Sequence, residues 1–393
     1  MIIRKAAVNN FEDALKLVKK TGSDKFAHKI LAKKAVLIAV VIDAIDNRAA
    51  SILKQEALSA GADAAVNENV SRFKKGFSDT VLFATVKQIE ILIKKLCFQP
   101  FGLKEVAAHL SEIKDSLLAD KKIWKYKKTF IDILSPAVMG IINMDPQSFS
   151  GDGLTNADEA VKRAIEFEKA GAKILDIGAE SSRPGAKLID AKTEIKRLLP
   201  ALKKIKKAVK IPVSIDTYKY ETAKAALNEG ADIINDIFAL QKGKDKLAKL
   251  IANSKAGVIL MHMQGVPASM QKDPSYKDCV SEVFEFLSQR KKYANSFGIK
   301  NEFIAVDPGP GFGKTVEHNL ELVKNMSAFS SLGAVVGAVS RKKFIRAASS
   351  SEDKTAFVAA NFLAAYCGAD IVRVHDVKET VNVLKLITSI RRV

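Results

Sequence analysis

From Pro136 to the C-terminus, short β-branched runs alternate with amphipathic helical stretches, and this alternation restricts the fold more than any other feature of the chain. The runs predict eight strands: Val138–Met144, Lys173–Ala179, Pro212–Tyr218, Ile233–Phe238, Gly257–Met263, Phe303–Asp307, Ala334–Ser340 and Ile371–Asp376. Each ends in polar residues or glycine, and a helical stretch follows. Asn156, two residues ahead of Asp158, is placed to cap the first of these helices. Gly171, Gly230 and Gly368 each stand between a helix and the next strand, where a left-handed cap is wanted. Eight strand–helix units in about 257 residues match a (β/α)8 TIM barrel. An open doubly wound sheet is the competitor, but no Gly-x-Gly-x-x-Gly turn follows the first strand.

Residues 1–130 have a different texture. Phe11–Lys20, Ala49–Ala60, Val86–Leu96 and Lys104–Leu118 read as helices, and Ala35–Val41 and Thr80–Ala84 as strands. The expected architecture is therefore α/β: a small N-terminal α/β domain over 1–130, then the barrel over 131–393. No catalytic constellation shows in the N-terminal part. His109, on an apolar helix, reads as a core or surface histidine before it reads as a ligand.

No long apolar stretch follows Met1, and the longest purely apolar run, Ala35–Ile42, falls far short of the roughly 20 residues that cross a bilayer. Cys97, Cys279 and Cys367 are scattered singly, which argues against a zinc site or a disulfide framework. These features lead us to expect a cytoplasmic protein that engages no membrane. The formal charge of +19 raises nucleic acid as a partner. The lysines, however, are spread along the chain, often in pairs on helices, and no ribbon of stacking aromatics accompanies them. A solvated basic surface is the simpler reading, with no nucleic-acid partner. The densest cluster, Lys121 to Lys128, reads as an exposed linker.

In a (β/α)8 barrel the chemistry sits at the C-terminal strand ends. Those ends carry Asn143, Glu180, Ser182, Arg183, Asp216, Lys219, Asn235, Asp236, His262, Asp307, Lys314, Ser340, Lys342, Arg373 and His375. Singly, each has a bland reading: Asp236 as a loop cap, His262 as a satisfied core histidine, Asp176 as a structural barrel residue. A merely stable barrel has no need of so many polar groups on one rim. Arg373 and His375, two apart on a strand, would face the same way and could grip a phosphate. Ser340 and Lys342 repeat that spacing. Asp216 and Asp307 with the amide of Asn235 would line one cavity. Two carboxylates alone would suit glycoside hydrolysis, which leaves the lysine, arginine and amide surplus. A flat heterocycle with amino and lactam edges uses the whole set.

These motifs resemble the dihydropteroate synthase family over about residues 136 to 393. The family's first-strand motif reads roughly Met-Gly-x-x-Asn-x-Thr-Pro-Asp-Ser-Phe-Ser, and here Met139-Gly-Ile-Ile-Asn143-Met-Asp-Pro-Gln-Ser-Phe-Ser150 stands. Asp176 to Gly185 matches Asp-Ile-Gly-x-Glu-Ser-Thr-Arg-Pro-Gly, with serine at 182. Ser214–Lys219, Asp307–Lys314, Ser340–Lys342 and Arg373–Asp376 follow in the family's order. There are departures: Asp145 for threonine, Gln147 for aspartate, Ser182 for threonine, and Pro310 for a branched apolar residue.

The resemblance implies an enzyme, a transferase joining a pterin diphosphate to 4-aminobenzoate with release of pyrophosphate. It implies that Asp216, Asn235, Asp307 and Lys342 hold the pterin ring, with Met261 against its face. Asn143, Arg373 and His375 would hold the pyrophosphate, Asn143 also lying near a Mg2+ ion. Ser182, Arg183, Pro184 and Phe312 would surround 4-aminobenzoate. Asp216, Lys342, Arg373 and His375 form the implied catalytic set. The partners would be these small molecules and a second copy of the chain in a homodimer. The alternatives are a methyltetrahydrofolate:corrinoid methyltransferase, which shares the pterin-binding barrel, and a non-catalytic pterin-binding protein.

Overall fold

The structure is a computed structural model and describes all residues except 120, 146–152, 155, 182–187, 352 and 393. It divides into two compact units, Met1–Asp120 and Lys121–Val393. In the first, three antiparallel strands, β1 (Leu37–Asp46), β2 (Asp63–Val66) and β3 (Phe77–Thr85), form a sheet in the order β1-β3-β2. Helices Asn47–Ser59, Val86–Leu96 and Leu103–Leu118 supply Leu53, Ile89, Leu92, Leu96, Leu103 and Leu110 to a core that also holds Leu82 of β3. Thr85 and Gln88 form a capping box that starts the second of these helices. β1 runs five residues beyond the expected Val41 because a bulge between Ile42 and Ile45 lets pairing resume. β2 and the helix Lys25–Ala32 escaped the sequence reading, both being too short to show a period. His109 is exposed and lies 3.4 Å from Glu112, a surface pair.

The second unit opens with a hairpin, β4 (Ile123–Tyr126) and β5 (Thr129–Asp132), where an exposed linker was expected. Trp124 is buried, and its Nε1 donates to the Phe303 carbonyl at 3.0 Å. With Ile131 and Ile133 it packs against Met139, Ile174, Ile233, Ile259, Ala305 and Ile371 and so plugs the barrel's N-terminal end. The lysines around it pair with acids: Lys122 with Asp370 at 2.7 Å and Lys127 with Asp232 at 3.0 Å. A charge-rich segment thus hides one large apolar anchor, and the second unit begins ten residues earlier than the expected 131.

Eight parallel strands close the barrel: β6 (Ala137–Asn143), β7 (Ile174–Gly178), β8 (Val213–Asp216), β9 (Ile233–Asp236), β10 (Gly257–Met261), β11 (Ile304–Asp307), β12 (Ala334–Gly337) and β13 (Ile371–Val374), which returns to β6. All eight expected strands are present, several ending two or three residues early. At β9 the cause is visible: Asp236 accepts from the Phe238 and Leu240 amides at 2.8 and 2.7 Å and turns the chain out of the sheet. The Asn156 side chain caps helix Ala157–Ala170, and Gly171 ends it at φ 103°. Among the described residues no helix is long and apolar enough to cross a membrane.

Candidate active site at the barrel mouth

Strand register fixes the first wall. Asn143 pairs with Gly178, Gly178 with Asp216, and Asp216 with Asn235, so Asn143, Asp216 and Asn235 stand on one level at the C-terminal rim. A Cβ at Gly178 would lie 3.3 Å from that of Asp216, so glycine leaves the carboxylate its room. Arg373 reaches across from β13: Nε donates to Asp176 Oδ2 at 2.6 Å and Nη2 to Asp216 Oδ2 at 2.8 Å. Asn235 Nδ2 donates to the same Asp176 oxygen at 3.2 Å. Burial pushes the Asp216 carboxyl up to about 7; Arg373 opposes this, while the charges of Asp176, Glu194 and Glu180 add to it. Burial also works against the Arg373 cation, but the carboxylates of Asp176 and Asp216 outweigh it and hold the guanidinium firmly charged.

The second wall is the turn after β11. Asp307, buried, accepts from the Gly309 amide at 2.7 Å. Gly309 has φ 66°, and a Cβ there would fall 1.9 Å from the His262 carbonyl oxygen. Gly311, at φ 85°, would put a Cβ 2.8 Å from Lys342 Cδ. Between them the Pro310 carbonyl accepts a hydrogen bond from Lys342 Nζ, which also lies 4.4 Å from the centroid of the Phe312 ring. Burial lowers Lys342 to about 8, with Asp307 and Asp216 resisting, and burial raises Asp307. Met261 and Phe312 belong to an apolar group with Tyr218, Ile237, Phe238 and Met263. The mouth therefore offers an apolar face edged by Asp216, Asp307, Asn235 and Lys342, with a fixed cation beside it.

Two expectations about spacing change. β12 ends at Gly337, so Ser340 and Lys342 sit on a turn instead of a strand. Arg341 between them adopts φ 56° and sends its guanidinium to Asp376 at 2.8 Å, while Ser340 meets His375 and Lys342 meets the Pro310 carbonyl. Arg373 and His375 do not converge on one point either: Arg373 turns to the two carboxylates, while His375 Nδ1 lies 3.1 Å from Ser340 Oγ. Asp236 is the loop cap already described, its carboxyl raised to about 6 by burial. Asp176 is the residue undervalued in the sequence, where its run of apolar neighbours gave no sign that Arg373 and Asn235 meet on it. Asp145, placed where the family has threonine, pairs with Arg197 Nη1 at 3.3 Å, and that nitrogen also reaches the Ala179 carbonyl at 3.3 Å. Ser182, Arg183, Pro184 and Gln147 lie outside the described residues. A groove of about 920 Å³ lies apart from this mouth, between the segments after β8 and β9 and helix Cys279–Ser296, lined by Tyr218, Lys242, Lys246, Arg290 and Tyr293.

Residues 139–375 match the family of pterin binding enzymes. The chain belongs to this family. A bifunctional dihydropteroate synthase/dihydropteroate reductase of Helicobacter pylori is 33% identical over 387 residues, 96% of this chain and 97% of that protein. A probable bifunctional folylpolyglutamate synthase/dihydropteroate synthase of Halobacterium salinarum is 36% identical over 359 residues; the match takes in 90% of this chain but only 43% of that protein. The crystal structure of Yersinia pestis dihydropteroate synthase with a sulfonamide drug superposes with a TM-score of 0.66 at 33% identity, over 69% of this chain and 100% of that one.

Proposed function

We propose that this pterin-binding chain is a dihydropteroate synthase, condensing (7,8-dihydropterin-6-yl)methyl diphosphate with 4-aminobenzoate to 7,8-dihydropteroate and pyrophosphate. One observation carries the reading: Asp216, Asp307, Asn235 and Lys342 edge an apolar face that holds Met261 and Phe312. That set matches a flat ring with N–H donors on one edge and a lactam carbonyl on another. Loss of diphosphate leaves a methylene cation delocalised into the pterin, and the carboxylates of Asp216 and Asp307 stabilise it. Arg373 and His375 neutralise the leaving charge. The arylamine of 4-aminobenzoate, nucleophilic when neutral, attacks the methylene carbon and needs positioning more than a strong base. Ser182, Arg183, Pro184 and Phe312 would surround it.

The chemistry that Mg2+ would supply is charge neutralisation on the diphosphate. Asn143 would hold it. Its side chain offers a hard oxygen donor, and among the described residues no trio of His, Cys, Asp or Glu competes for the ion. One protein oxygen, with diphosphate oxygens and water completing the shell, fits magnesium's habit. Purified protein given both substrates and Mg2+ should release pyrophosphate and form dihydropteroate. Equal turnover after full chelation would remove the metal from the account, and tight pterin binding without turnover would favour a non-catalytic role.

We further propose a cytoplasmic homodimer. Its support is the pair of packed helices Lys354–Tyr366 and Val377–Arg392, which leave Leu363, Tyr366, Leu386 and Ile390 exposed. Light scattering at the monomer mass would overturn it. A second activity, reduction of the product by a reduced nicotinamide or flavin, is favoured by one fact: the Helicobacter match runs through the N-terminal unit as well as the barrel. Oxidation of supplied reduced cofactor that depends on dihydropteroate would reveal it.

A further inference from the structure

We propose that Asp176 is the positioning residue of the pterin pocket: it orients Asn235 and Arg373 for the substrate without touching the substrate itself. The proposal rests on the synthase reading of the site. Asp176 is fully buried on β7, one level below the rim, and Oδ2 collects both Arg373 Nε at 2.6 Å and Asn235 Nδ2 at 3.2 Å. A carboxylate only accepts hydrogen bonds, so the Asn235 amide has one allowed orientation. One N–H of its nitrogen goes to Asp176, which turns its carbonyl oxygen toward the mouth to accept from a ring N–H. Without Asp176 the amide could flip and offer a donor where the pterin presents one.

The same oxygen sets the angle of Arg373. With Nε on Asp176 and Nη2 on Asp216, the guanidinium plane is fixed by two carboxylates, and Nη1 is the nitrogen left for the diphosphate. Asp176 is a poor device for stability alone. Its Oδ1 is buried with no hydrogen-bond partner among the described residues. A buried charge left half satisfied costs free energy, and replacing the whole Asp176–Arg373–Asn235 cluster by apolar residues would avoid that cost. Function is the physical reason for keeping it.

The test is Asp176→Asn, which preserves shape and removes the charge. The KM for the pterin diphosphate should rise about tenfold, the size of one lost charge-assisted hydrogen bond, while the KM for 4-aminobenzoate stays within about twofold. The acid limb of the kcat profile should also move to lower pH. Asp216 faces Arg373, Asp176, Glu194, Glu180 and Lys342; removing Asp176's charge relieves a like-charge neighbour and leaves Arg373 to Asp216 alone, and both changes lower its pKa. Equal losses for both substrates with an unmoved acid limb would reduce Asp176 to a structural residue and overturn the proposal. A wild-type protein without turnover would instead fault the synthase reading. The proposal would then be decided by the 15N resonance of Arg373 Nε: it should shift in Asp176→Asn, and an unchanged resonance would overturn it.

Discussion

Lys314 Nζ lies 2.9 Å from His262 Nδ1, and both side chains are buried. Two bases share a space where neither is easily charged. Burial drives His262 down to about 2, with the Lys314 charge adding, so the imidazole is neutral and Nδ1 accepts. Burial likewise lowers Lys314 to about 7. The sign follows by linkage. As pH falls below about 6.5 the unfolded chain protonates His262 and the folded chain does not, so stability is lost on acidification. Asp216 and Asp236, raised by burial to about 7 and about 6, pull the other way over part of that range in any variant that keeps them. Relative to the wild type, His262→Gln, which can still accept from Lys314, should therefore shift its urea midpoint in the stabilising direction on going from pH 7 to pH 5. Parallel changes in the two proteins would show that His262 does not titrate in this way.

The hairpin predicts where the barrel can be cut. Deleting residues 1–120 should leave a folded barrel unit, whereas deleting through residue 132 removes Trp124 and Ile131 from its floor. Trp124→Ala in the full chain should cost about 3–5 kcal/mol, the usual range for truncating a fully buried large side chain. Thermal melts of the three proteins check this. A Trp124→Ala variant as stable as the wild type would mean that the hairpin is not part of the barrel's core.

The barrel was legible because its eight strands are continuous β-branched runs that tertiary packing does not override, and the rim chemistry because each motif sits within a few residues of a strand end. What stayed hidden was joined only in space. Nothing near Asp176 in sequence points to Arg373, 197 residues away, or to Asn235, 59 away. The Trp124 anchor was masked by the lysines around it, whose charges are met by acids standing just before β13 and β9. The turn at Ser340–Lys342 stayed hidden because it continues directly from the apolar run of β12, and nothing in the residue types announces the left-handed Arg341 that turns the chain.

Asp145 and Arg197 offer a test of a departure from the family pattern. Their ion pair ties the start of the segment after β6 to the helix Ala191–Ala208, and Arg197 also holds the carbonyl just past β7. Arg197 is about one-third exposed, which limits the pair to the small effects of surface bridges. Arg197→Met should raise the KM for 4-aminobenzoate by about two- to fivefold with little change in melting temperature. An unchanged KM would show that the pair does not set the approach of that substrate.

The last prediction separates ring recognition from leaving-group recognition. On the proposed assignment of Asp307 to the ring edge, Asp307→Ala should weaken a plain pterin and its diphosphate ester alike, by about ten- to a hundredfold, the cost of one hydrogen bond to a charged acceptor. Arg373 is harder to test, because alanine there would leave Asp176 and Asp216 as uncompensated buried carboxylates and damage the ring site as well. Arg373→Lys keeps the charge but lacks the planar fork that can bridge two carboxylates and still reach a diphosphate. It should weaken the ester more than the plain pterin, by about tenfold in the ratio of the two affinities, and slow turnover as the developing charge loses its fixed partner. Calorimetry with both ligands on both variants decides the matter. If Arg373→Lys weakened the two ligands equally, Arg373 would belong to the ring site alone, and His375 would be left as the protein's partner for the diphosphate.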